Sequence, residues 1–338
     1  MERKNSAFFR QLFRAAGKRL SYGDSLPSGV VLLAVTVVFS LLVPHFLKLG
    51  NLMNILTQSA VPGFAALSLS VVIISGNIDL SIGSMMSFSC TLMAFAMVKL
   101  GLPVAAALPL TIGSCVCLGV FNGVLTAYLQ MNSLIVTYLS MNFFSGLCYI
   151  LCDNSPISGI PQAFSEIGRG SLASLPNGFL LFALFIVATS WFLRHSYWGK
   201  YILAIGCNAK TARLSGIDIK RTQIITFAIS GFFAGIGGTL LCARINYGIP
   251  SAGSGYEFTA LVIVILSNIS LNGGQGAVRN VIIGVLTYSV ISTGLIFLNI
   301  SFYGQKAIIG GLVFISALVN SLLTKPSFTD YSPEAQDG

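Results

Sequence analysis

Apolar residues run in long stretches along this chain, and polar residues are confined to short interruptions between them. A run of about 20 apolar residues is the length a helix needs to cross the hydrocarbon core of a bilayer. By that measure spans fall near 27–47, 54–75, 80–99, 102–128, 134–152, 177–194, 222–246, 257–271, 276–298 and 303–323, about ten crossings. The pattern predicts an all-α polytopic membrane protein. Pro27 stands where a first helical turn tolerates proline. The run 257–271 is short: either it crosses, or it is a re-entrant or broken segment packed in protein. If it does not cross, the last two spans and the C-terminus reverse. With an even number of crossings both termini lie on one side. No interruption is long enough to part domains, so the chain reads as a basic tail (1–25), a transmembrane body (26–325) and an acidic, Pro-containing, disordered tail (326–338).

The longest polar interruption is the basic segment 196–221, SYWGKYILAIGCNAKTARLSGIDIKR. Lys and Arg near span ends are retained in the cytoplasm. This rule places 196–221 inside, with the tail, the loops near 76–79, 129–133 and 272–275, and the C-terminus. Asp153–Leu175 and Tyr247–Tyr256 become outside loops. Asn208 is able to cap a short helix, and Gly216 to end it in a left-handed turn. The loop therefore reads as holding about two turns of helix, Ala209 to Ser215. Such a helix suits docking of a partner; the plainer reading is a solvated basic loop that only sets topology.

Composition narrows the class further. Hydrophobic residues make up 54% and charged residues 9%, with a mean hydropathy of +0.83; soluble domains are nearer a quarter charged. The net charge of +9 is not a nucleic-acid signal, because Arg3, Lys4, Arg10, Arg14, Lys18 and Arg19 cluster in the tail. That cluster orients the chain and attracts anionic lipid. Phe8, Phe9, Leu12 and Phe13 fit a short interfacial helix there. The basic start lacks the short apolar core and cut site of a cleaved signal, so Leu26–Phe46 reads as an anchor. Seven cysteines, mostly inside spans, show no zinc-type pairing. His45 and His195 sit near span ends and read as interfacial. There is no H-E-x-x-H and no phosphate loop G-x-x-x-x-G-K-[ST], so the chain reads as neither an enzyme nor the source of its own driving energy. A separate ATPase or an ion gradient must supply it. Arg244 and Arg279 are nearly the only ionisable residues in the spans, which argues against proton relays.

An uncharged path suits a neutral solute met by amides and hydroxyls. Gln58, Asn122, Thr137, Asn142, Asn246 and Ser289 are candidates to line it. Each serves equally well as interhelical glue, worth about 0.6 kcal/mol. Asp79 just precedes a span: it caps that helix at its positive dipole end, with Asn77 and Ser81 beside it, or acts in gating. Glu257 opens a helix and reads as support for an outer gate. Gly231–Gly235, GFFAG, permits tight helix contact and reads as internal packing. Ile78–Ser87 and Tyr256–Asn272 stand as the broken segments of a faint two-fold repeat.

Three segments carry a family resemblance. AIGCNAKTARLSGIDIKR resembles the cytoplasmic loop of the ribose-type permeases, the membrane subunits of ABC importers of monosaccharides, within the branched-chain amino acid/sugar binding-protein-dependent permease family. Gly206, Asn208, Ala212, Ser215, Gly216 and Ile217 match its pattern G-x-N-x-x-A-A-x-x-S-G-I, and Thr211 replaces the first Ala. SGNIDLSIGS is similar to the family's G-G-x-D-L-S-x-G-S, with Asn77 for the second Gly. GSGYEFTALVIVILSNISLNGGQG follows a third family motif, with Ser267 and Asn268 in place of two glycines. Asn132–Leu147 matches a fourth more weakly, at Thr137, Leu139, Met141 and Gly146.

The resemblance implies a ten-helix fold like that of the vitamin B12-type importers, in the bacterial inner membrane with both termini cytoplasmic. It implies a coupling helix that sits in a groove of an ATPase, with Gly206, Asn208, Ala209, Ala212, Arg213, Ser215 and Gly216 as its residues. It further implies an extracytoplasmic sugar-binding protein and a second permease chain as partners, membrane lipid around them, and no nucleic acid. The permease holds no cofactor, ATP being bound by the partner. The rival readings are an ion-coupled secondary carrier acting alone and a membrane scaffold.

Overall fold

The computed structural model describes residues 25–301, 303–311 and 314. Within Tyr22–Ile300, which forms one compact unit, the helices are α1 (Leu26–Leu42), α2 (Leu49–Ile74), α3 (Ile82–Val98), α4 (Val104–Tyr128), α5 (Ser133–Cys152), α6 (Gln162–Arg169), α7 (Asn177–His195), α8 (Tyr197–Cys207), α9 (Ala209–Leu214), α10 (Ile219–Ile245), α11 (Tyr256–Leu266) and α12 (Val281–Phe297). A two-stranded antiparallel ribbon, β1 (Ser171–Leu172) and β2 (Leu175–Pro176), follows α6. Residues 303–311 are helical; the rest of the expected span 303–323 lies mostly outside the described residues, as do both tails.

Among the described residues six helices are long and apolar enough to cross a membrane, counting the short 3-10 turn Val278–Asn280 with α12. α1, α3 and α11 are apolar but shorter. α11 has 11 residues, about 16 Å of helix, roughly half of a hydrocarbon core. The continuous span expected over 257–271 is therefore a half-length helix followed by a turn, with Asn268 at φ 55° and Gly273 at φ 85°. Backbone of this kind is tolerated at membrane depth where protein covers it, and Ser267, Ile269 and Ser270 are buried.

Every span is apolar all round, so periodicity does not reveal which ones are inside. Burial does: 89% of the α2 window and 72% of the α10 window lie inside the protein, against 22% for α4 and 28% for α5 and α7. α2 and α10 form the centre together with α3, most of whose residues are buried, while α4, α5 and α7 present apolar surface outward. Small residues make that centre possible. A side chain on Gly119 of α4 would collide with the Phe227 carbonyl of α10, and one on Gly231 with the Cys115 carbonyl. GFFAG thus packs α10 against α4 within this chain.

The interruptions gather at two ends. The Ile78 amide donates to Ser133 Oγ at 3.2 Å, the Gly274 amide to the Ile74 carbonyl at 2.9 Å, and Lys220 Nζ lies 4.8 Å from the Tyr128 ring centre. The loops read as cytoplasmic from their charge thus meet at one end. At the other end Ile157 bridges Gly248, and Arg169 Nε donates to the Arg244 carbonyl at 2.9 Å. The two loops read as external meet there. Helix α6 and helix α8 were not apparent in the sequence reading: α6 is brief and amphipathic, and α8 lies inside what reads as a loop.

Candidate functional site

The exposed helix α9 is shaped by its own short sequence. Asn208 Oδ1 accepts the Thr211 amide at 2.9 Å, which fixes the start. At the far end the Ile217 amide reaches the Ala212 carbonyl at 3.1 Å and the Gly216 amide the Arg213 carbonyl at 3.0 Å. Gly216, at φ 83°, supplies the left-handed residue that this C-terminal motif requires. The helix ends at Leu214, with Ser215 as its cap, one residue earlier than the spacing predicts.

Orientation separates the expected coupling residues. Ala212 is 4% exposed and faces the protein, and Gly206 is half-buried in α8. Asn208, Ala209, Arg213, Ser215 and Gly216 are exposed. Leu214 is 82% exposed, flanked by Lys210 and Arg213. It is the large apolar side chain that this helix turns outward.

The second site is a buried polar network between the ends of α2 and α3. Helix α2 stops at Ile74, Gly76 turns with φ 81°, and the chain is non-helical to Ser81. Asp79, fully buried, is the hub. Its Oδ1 accepts the Ser81 amide at 2.9 Å and the Ser81 hydroxyl at 2.6 Å, and Oδ2 accepts the Ser230 hydroxyl at 2.8 Å. Asn122 Nδ2 donates to Ser81 Oγ at 2.8 Å, and Ser68 Oγ donates to the Ser230 carbonyl at 2.9 Å. Four elements, α2, the break, α4 and α10, are tied at one carboxylate. Ser230 lies about three turns into α10, so Asp79 is drawn inside the bundle and does not lie at the open edge of a span as its place before an apolar run suggests. It does not hold the cap position either: that is Ser81, which makes no side-chain cap bond. Ser68 and Ser230 complete the network; lone serines in apolar helices gave no signal of it.

Other candidates divide clearly. Thr137 joins the break, its hydroxyl accepting the Leu80 amide at 3.1 Å. Asn77 holds Ser75 Oγ at 3.2 Å. Glu257 is buried, its carboxylate accepting the Gly255 amide at 3.1 Å and pressing on Gly83, where any side chain would overlap Oε2. The first turns of α3 and the start of α11 are thereby in contact, and the Gly253 amide donates to Ser87 Oγ at 2.8 Å. Gln58 bonds Asn54 at 3.1 Å, and Asn142 bonds its own helix at Tyr138 on an exposed face. Asn246 ends α10 at φ 63° and accepts from the Ser165 hydroxyl. These three do not converge on the network. Ser289 Oγ and Asn122 Oδ1 are buried without a partner among the described residues.

No group of three or more His, Cys, Asp or Glu residues able to hold a metal occurs among the described residues. Arg221 and Asp218 form an ion pair at 3.1 Å that is exposed on the surface. What the arrangement offers is a braced break in the bundle and a small exposed helix at one end.

The family model described as branched-chain amino acid transport system / permease component matches residues 51–317. The ribose import permease protein RbsC of Escherichia coli K12 is 30% identical over 297 residues, 86% of this chain and 92% of that protein. RbsC of Bacillus subtilis 168 is 32% identical over 291 residues, 86% of this chain and 90% of that one. The galactose/methyl galactoside import permease protein MglC of Salmonella typhimurium LT2 is 32% identical over 311 residues, 87% and 93%. No solved structure matches. The match takes in the break at Asp79, the helix at Ala209–Leu214 and most of the membrane body: the chain belongs to the branched-chain amino acid transport system permease component family.

Proposed function

We propose that this chain is the membrane-spanning permease subunit of an ABC importer that moves a sugar or sugar-like neutral solute across the bacterial inner membrane. The observation that carries the proposal is α9: a capped, exposed helix with a bare leucine, at the end where the basic loops gather. A separate ATPase binds ATP and grips α9. An extracytoplasmic binding protein delivers the solute at the opposite end, where the 153–175 and 247–256 segments meet. Two chains together enclose the path, in a ten-helix arrangement of the vitamin B12 type with both termini cytoplasmic. The permeases named above for ribose and for galactose support the solute class, as do the hydroxyl and amide groups at the break. The chain binds and guides; it forms and breaks no covalent bond.

The experiment is capture of a co-expressed ABC ATPase on the tagged chain. Leu214→Asp leaves the bundle untouched, since the side chain is exposed, and is expected to abolish capture while membrane insertion stays normal. Capture at the parental level contradicts the role of α9.

One observation favours a second reading. Asp79 is an acid inside the bundle, where ion-coupled carriers place their coupling groups. A carrier of that kind accumulates solute in proteoliposomes from an ion gradient alone.

A further inference from the structure

We infer that Gly76, Gly206 and Gly273 form a backbone junction that carries movement of α9 into the buried break at Asp79. The inference rests on the permease reading above and deepens it.

Gly206 lies in the last turn of α8, two residues before the Asn208 cap of α9. A side chain there would overlap the Ile74 carbonyl oxygen and lie 2.6 Å from the Gly274 nitrogen. The hydrogen bond between those two groups, at 2.9 Å, closes the contact. A side chain on Gly273 would lie 2.7 Å from Gly76 Cα and 3.1 Å from the Gly206 carbonyl oxygen. The Cys207 thiol donates to the Gly274 carbonyl at 3.4 Å. Three segments distant in sequence therefore meet main chain to main chain, with no side chain between them to yield by changing rotamer.

Each segment leads somewhere. Gly206 leads through Cys207 directly into α9. Gly76 leads into the break, where the Asn77 amide holds the Val72 carbonyl at 3.2 Å and the Ile78 amide holds Ser133, and Asp79 follows at once. Gly273 leads through the 3-10 turn at Val278–Asn280 into α12. A push on α9 thus reaches the Asp79 network and α12 together. Gly206 is assigned to this relay and not to the face that touches the ATPase; it is a positioning residue for the movement.

The test uses the full chain, purified with its ATPase and carrying Asn77→Cys as a reporter in the break. Modification of position 77 by a maleimide is read by mass spectrometry, with and without ATP and vanadate. In the parent, ATP and vanadate are expected to change the modification rate several-fold. In Gly206→Ala and Gly273→Ala the ATPase stays bound and hydrolyses ATP within about twofold of the parent, yet the rate at position 77 no longer responds. A variant that merely loosened the fold would lower capture and hydrolysis as well. If Gly206→Ala does not accumulate, Gly273→Ala reads the same junction from its other side. A response like the parent's in both variants overturns the inference. So does loss of ATPase capture in them, or a parent that holds ATPase but shows no response. A parent that captures no ATPase defeats the permease reading instead.

Discussion

At the residue scale, Asp79 is the group whose chemistry is most constrained. It accepts three hydrogen bonds, all from serines: the Ser81 amide, the Ser81 hydroxyl and the Ser230 hydroxyl. An asparagine keeps the pattern. Its carbonyl takes the two Ser81 donors, and its amide donates to Ser230 Oγ, which turns its own proton to Ser68 Oγ, 2.8 Å away. Asp79→Asn is therefore expected to lose less than about 1 kcal/mol of stability, whereas Asp79→Ala leaves buried donors unpaired and loses about 3 kcal/mol or more. Thermal unfolding of the detergent-purified variants distinguishes the two, and equal losses contradict the network. An acid just ahead of an apolar run announced a special position in the sequence. Its depth was hidden, because Gly76 and the extended chain to Ser81 carry it inward, and the partners Ser68 and Ser230 come from helices far away in sequence.

At the scale of the element, α9 was the most legible part of the chain. A cap residue, a polar helix and a glycine eight residues on state a helix with a start and a stop. Asn208→Ala is expected to cost about 1 kcal/mol locally, and Gly216→Ala a similar amount through strain at positive φ. Amide exchange across 209–216 is the measurement, with faster exchange there and none added in α10; unchanged exchange contradicts the capping described. What composition did not reveal was facing. Ala212 turns inward and Leu214 outward, a choice made by the contacts of α8 and α10. Apolar length located the long spans well and marked 257–271 as short; α11 is as apolar as any span, but its chain turns at Ser267–Gly276.

At the scale of the molecule, polar interruptions separated by charge into two sets, and the fold assembles each set at its own end. That much was legible, since each helix reverses the chain and charge marks the sides. The ranking of inner and outer helices was not, because Leu, Val, Ile and Phe suit both a lipid face and a core. The division rests on where glycine and serine let backbones approach, as between α10 and α4. Together these features describe a bundle with two broken segments in contact, Gly76 against Gly273, and a small exposed helix at the same end; on the proposed function that helix is a lever driven from outside the chain.

That dependence on an external motor is tested most directly by transport in proteoliposomes. The purified chain is reconstituted alone, and again with its ATPase, its binding protein and ATP, and uptake of radiolabelled ribose and galactose is followed. The account predicts uptake of at least one of these sugars only in the complete, ATP-supplied system. Vigorous uptake by the chain alone would contradict it.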